Sequence, residues 1–138
     1  MTGILGHYKV LACQLKTKWL HPQIWSNYVW ELTESNFKLH FYNVCPSAYV
    51  GSFVHSESGQ LSIDADAKTI IFIPSSGQFE GQSIVGIYQS DDSGQILQVV
   101  CAFPGQPIPT GFQALEGQVY EVWKKVESVG GSLKSDQN

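Results

Sequence analysis

The sequence predicts an all-β protein, a single antiparallel up-and-down β-barrel of about eight or nine strands with a short lid or plug segment near residues 17–26. Three observations predict it. Apolar and polar residues alternate along most of the chain, which is the period of a half-buried strand. Clusters of Gly, Pro, Asn, Asp and Ser interrupt that alternation at short, regular spacing, as hairpin turns do. No segment shows helical periodicity beyond a single turn near residues 20–26. With 138 residues, 43% of them hydrophobic, the chain suffices for one core. That core is expected over residues 1–127, followed by a flexible Gly- and Ser-rich tail at 128–138.

The elements follow in order. Residues 7–16 form a first alternating run, and an irregular segment with Trp19, Pro22 and Trp25 follows. A second run covers 27–32, and Thr33-Glu-Ser-Asn36 reads as a polar turn. Residues 37–42 place Phe37, Leu39 and Phe41 on one face and Lys38, His40 and Tyr42 on the other, until Pro46 ends the pattern. Residues 48–55 read as a strand, Ser58-Gly59 as a turn, and 60–64 as another strand. Asp64-Ala-Asp-Ala67 is a turn before 69–73, which Pro74 stops, and a Gly-Gln-Ser loop at 75–82 leads to 83–89. Asp91-Asp-Ser-Gly94 is a hairpin turn in which Gly94 supplies positive φ. The strand at 95–103, a Pro-rich excursion at 104–109 and a last strand at 118–125 complete the chain.

A meander of antiparallel strands exposes its edges unless it closes on itself, which favours a barrel over an open sheet. Eight strands leave an interior that side chains fill or that holds one small ligand. The inward faces carry Tyr28, Trp30, Phe37, Leu39, Phe41, Tyr49, Phe53, His55, Tyr88, Leu97, Val99, Cys101 and Phe103 as the expected ligand-binding wall. A solid core made of the same residues is the competing expectation. Trp19 and Trp25 are candidates for a lid over one barrel mouth, for a plug that seals it, or for a partner-binding patch if exposed.

Composition narrows the function. All eight basic residues are lysines, set against twelve acids for a net charge of −4. Without arginine forks or a basic stripe, nucleic acid is not an expected partner. No run approaches the ~20 apolar residues of a membrane-spanning helix. The opening residues carry no secretory pattern, and Cys13, Cys45 and Cys101 are odd in number and widely spaced, which points to reduced thiols and a cytoplasmic setting.

The opening Gly6-His7-Tyr8 and the closing Lys124-Lys125 resemble the Gly-x-Trp start and the final basic residue of lipocalins and related calycin barrels, with tyrosine in place of tryptophan. A closer likeness lies further along, in Gly59-Gln-Leu-Ser-Ile-Asp64, Lys68-Thr-Ile-Ile-Phe-Ile73, Gly86-Ile-Tyr88, Cys101-Ala-Phe-Pro-Gly105, Pro109-Thr110, Phe112 and Val122-Trp-Lys-Lys125. This series is similar to a lipocalin-like bacterial domain family of unknown activity, abundant in planctomycetes, and spans roughly residues 6–125. Ile108 stands where that family usually has arginine before Pro-Thr, and the segment from Trp19 to Trp25 is richer in tryptophan. The resemblance implies the barrel and carries over no catalytic residue.

Chemistry-bearing motifs are sparse. His7, His21, His40 and His55 lack the local spacings of metal ligands, so no metal or cofactor is expected. His40 is expected on the outer face and His55 inward near a barrel end. Cys101 reads as a core thiol and Cys45 as a turn residue, with no Gly-x-Ser-x-Gly elbow in the chain. The Asp64/Asp66 and Asp91/Asp92 pairs fall in turns and read as solvated turn residues, and the 75–81 loop lacks a phosphate-loop ending.

The first expectation is therefore binding of a small, mostly apolar, neutral molecule inside an aromatic-lined cavity. The second is a cofactor-free cyclase or isomerase that folds a flexible polyunsaturated substrate, with Tyr28, Tyr49, Tyr88 and His55 as hydrogen-bond donors. The third is a protein-binding barrel of inhibitor or immunity type, using the 104–109 loop or the surface near Trp19. Ligand identity and oligomeric state are not encoded in any of these features.

Overall fold

The computed structural model describes residues 3–16, 18–21, 28–41 and 55–126, except for the side chains of His55 and Ser56. These residues form β1 (Gly6–Leu15), β2 (Lys18–Trp19), β3 (Tyr28–Leu32), β4 (Asn36–Phe41), β5 (His55–Asp64), β6 (Thr69–Pro74), β7 (Ile84–Ser90), β8 (Ile96–Ala102) and β9 (Gln118–Val126), with no helix among them. Neighbours from β3 to β9 pair antiparallel in chain order, β1 pairs β3, and β9 returns to β1. The result is a closed eight-strand barrel. The ninth strand, β2, extends it by pairing with the far end of β1, Gln14 opposite Trp19 and Leu15 opposite Lys18.

Closure depends on β1, which meets β3 along Gly6–Lys9 and β9 along His7–Leu15. Its register shifts between Val10 and Ala12. A bulge of this kind bends a strand and restarts its alternation one residue later, and Tyr8, Val10 and then Cys13 all join the inner cluster. At the start of the same strand Gly6, at φ +141°, leaves room for the Lys125 side chain, whose Cε would lie 2.9 Å from an added Cβ.

The barrel has two unlike ends. The turns at 33–35, 65–68 and 91–95 close one end, where Ile4, Tyr8, Leu32, Leu61, Ile70, Tyr88 and Leu97 are buried as a solid floor. The Tyr8 hydroxyl donates to the Ile4 carbonyl at 2.8 Å, and its ring packs on Trp123 at 5.5 Å. The other end carries the 75–83 loop, the long 103–117 connection, and the termini Phe41 of β4 and His55 of β5.

The turn expected at Ser58-Gly59 is not there. Both residues lie inside β5, paired with Lys38 and Phe37. An added Cβ at Gly59 would meet the Ile73 carbonyl, the Phe37 ring at 2.7 Å and Pro74 Cα at 2.8 Å. Gly59 marks a close approach of two strands and a ring, the other reason for glycine within a sheet.

The 103–117 connection lies against the outside of the barrel. Val100, Ala114 and Tyr120 form a second buried cluster there with Ile87, Phe112 and Val122. It is pinned by Ala114 N–H to Gln14 Oε1 at 2.8 Å and by Gln118 Nε2 to the Pro107 carbonyl at 3.0 Å. Trp19, 55% exposed, leans edge-on against Tyr120 at 5.7 Å. It therefore stands on this outer wall, and Trp25 lies outside the described residues.

Candidate functional site

Above the floor the barrel is hollow. A cavity of about 350 Å³ opens at the end bearing the 75–83 loop, within the range of roughly 300–1,000 Å³ typical of ligand pockets. Alternation builds its wall. Trp30 comes from β3, Phe37 and Leu39 from β4, Glu57 from β5, Phe72 from β6, Val99 and Cys101 from β8, and Val119, Glu121 and Trp123 from β9. The aromatics form one connected wall: Trp30 stacks on Trp123 at 5.0 Å and 20° and contacts Phe72 at 5.4 Å, and Phe37 meets Phe72 edge-on at 5.2 Å.

The rim is made by the 75–83 loop. Positive φ at Gly77 and Gly81 lets this loop turn sharply, and Phe79 lines the cavity while stacking on Phe103 at 5.6 Å. The element that borders the mouth among the described residues is thus this loop.

The polar centre of the cavity is Glu121. It lies on the same face of β9 as Val119 and Trp123, aimed inward. Both indoles converge on one of its oxygens, Trp123 Nε1–H donating to Oε1 at 2.7 Å and Trp30 Nε1–H at 3.1 Å. The Cys13 thiol approaches Oε2 at 3.9 Å. Protein surrounds the carboxyl, and its remaining accessible surface faces the cavity. Burial pushes its pKa above the ordinary glutamate value, opposed by the donors from Trp123, Trp30 and Cys13. Glu121 in turn perturbs its neighbours. Burial and then Glu121 push Cys13 up to about 12, and the same two causes raise Cys101. Neither is a ready thiolate nucleophile at neutral pH.

Of the residues expected to bind ligand, Trp30, Phe37, Leu39, Val99, Cys101 and Phe103 line the cavity. Leu97 and Tyr88 are packed into the floor instead, Tyr88 with Lys68 Nζ 5.9 Å above its ring. Tyr28 and Phe41 pair edge-on at 4.7 Å beside the cavity. The Tyr28 phenol is raised by burial first, then by Glu121, Cys13 and Glu57. Tyr49, Phe53 and the His55 side chain lie outside the described residues, as does Cys45. Among the described residues no group of three His, Cys, Asp or Glu could hold a metal ion, and no helix is long and apolar enough to cross a membrane.

His40 lies on the outer face of β4 yet is 3% exposed, its Nε2 3.1 Å from Glu31 Oε1. His7 Nε2 stands 3.8 Å from the same oxygen, its pKa lowered by burial against the opposing pull of Glu31. None of His7, Glu31 and His40 lines the cavity.

Sequence reasoning missed Glu57, Phe72, Phe79, Val119, Glu121 and Trp123 as wall residues. A signal for Glu121 existed: it alternates with Val119 and Trp123 along the last strand, so a face that turns the tryptophan inward turns the acid inward with it. No family model, curated protein or solved structure matches this sequence, so the site rests on its own geometry.

Proposed function

We propose that the protein binds a small, mostly apolar molecule within the barrel. The observation that carries this reading is an open hollow of about 350 Å³ walled by mutually packed aromatics, above a floor that is itself filled. A chain selected only for stability gains by filling such a space, since empty interior volume forfeits packing. In this reading Trp30, Phe37, Phe72 and Trp123 supply apolar contact area, and Glu121 fixes the orientation of the one polar group.

The test uses the neutral apolar probe N-phenyl-1-naphthylamine. Saturable, single-site fluorescence enhancement is expected, together with a response of the tryptophan emission. Replacing Val119 with Trp places an indole into the hollow and is expected to weaken the probe by at least about tenfold, with the circular dichroism unchanged. Absence of saturable binding to the unmodified protein would overturn the reading.

The cyclase or isomerase reading gains one observation of its own. A carboxyl whose pKa burial raises is a better placed proton donor than an ordinary glutamate, and aromatic faces beside it stabilise developing positive charge. It requires turnover of a polyunsaturated substrate that Glu121→Gln abolishes.

A further inference from the structure

Glu121 has one oxygen fully engaged and one nearly idle. Oε1 accepts two indole N–H donors, whereas Oε2 has only the long, weak thiol contact with Cys13. An ionised carboxylate offers about four acceptor sites, and one kept away from bulk water normally finds a cation. Among the described residues no lysine or histidine lines the cavity, and Glu121 makes no ion pair. A second acid, Glu57, lines the same wall.

We infer that the ligand of this cavity is a protonated amine on an apolar body, its ammonium group pairing with Glu121 and its body packed among Trp30, Trp123, Phe37 and Phe72. Two properties of the site converge on that class. A carboxylate-bearing apolar hollow concentrates positive charge, and indole and phenyl faces attract a desolvated ammonium, most strongly for tryptophan. The inference rests on the binding reading above and specifies its chemistry. An anionic ligand would bring like charge against Glu121, and an alcohol would leave the carboxylate without a counter-charge.

The experiment compares three probes with one body, 4-phenylbutylamine, 4-phenylbutanol and 4-phenylbutyrate, by calorimetry at pH 8. There an alkylamine is charged. The amine is expected to bind at least about tenfold more tightly than the alcohol, with the carboxylate weakest. Glu121→Gln is expected to bring the amine within about threefold of the alcohol. Equal or tighter binding of the alcohol to the unmodified protein overturns the amine inference and leaves the cavity reading standing. An amine preference that persists in Glu121→Gln overturns the assignment to this carboxyl. Failure of all three probes overturns the amine inference, while the cavity reading stands or falls with N-phenyl-1-naphthylamine. The comparison in the unmodified protein needs no variant, so it decides the matter even if Glu121→Gln does not fold.

Discussion

At the scale of single residues, Glu121 is the most informative, an acid set in an aromatic wall. Its pKa is raised in the folded protein, so it favours folding when protonated. That contribution is complete below the ordinary value of 4.5 and is lost as pH rises through the raised folded value. Glutamine keeps an acceptor for the two indole donors and has no charge to bury. The stability difference between Glu121→Gln and the unmodified protein, measured by urea unfolding, should therefore move in favour of the variant from pH 4.5 to pH 8. A difference that does not change with pH would show that the carboxyl is solvated. Gly59 is the second telling residue. Gly59→Ala forces a methyl against the Ile73 carbonyl and Pro74 backbone, and should cost about 1–3 kcal/mol in the same assay, as overpacking does.

At the scale of elements, the β7–β8 hairpin shows how a local motif defines a strand pair. Asp91 Oδ1 accepts Ile96 N–H at 3.2 Å and Gln95 N–H at 3.1 Å, Ser93 Oγ–H donates to its carboxylate, and Gly94 takes φ +75°. These donors, Ile96 first, hold the Asp91 carboxyl below its ordinary value. A depressed pKa contributes stability above the unfolded value that disappears as pH falls through the folded one. Asp91→Ala should quicken amide exchange at Gln95 and Ile96 near neutral pH, and the effect should fade on acidification below about pH 4. This hairpin was legible in the sequence because every interaction in it spans five residues or fewer. β5 was not, because the reason for Gly59 is a ring and a backbone brought from two other strands. The 103–117 connection was half legible: its Pro-rich composition marked an excursion, but its packing over Val100 and Tyr120 depends on the curvature of the wall beneath it.

At the scale of the whole molecule, the barrel divides into a floor that supplies stability and a hollow that supplies the site. Ile70 is fully buried in the floor and does not line the cavity. Ile70→Ala should cost about 2–5 kcal/mol with probe affinity intact, opposite to the expectation for Val119→Trp. Unfolding midpoints and probe titrations on both variants would separate the two halves. If both lost binding equally, floor and hollow would be one cooperative unit. The closure between β1 and β9 joins the halves, since Cys13 and Glu121 face each other across it.

The amino-acid sequence by itself determined the strand order, most of the turns and the apolar faces that converge inside, because period-two alternation and turn chemistry are local. It also contained the cavity wall in part, through Trp30, Phe37, Leu39, Val99, Cys101 and Phe103. What only the tertiary structure decided is depth along the barrel: that Leu97 and Tyr88 lie in the floor, that Phe103 reaches the rim, and that Glu121 stands between two indoles. Depth follows from the stagger of all eight paired strands together. The covered outer wall also hides the inner face of β9 from sequence reasoning, since burial on both sides erases the polarity contrast that alternation relies on.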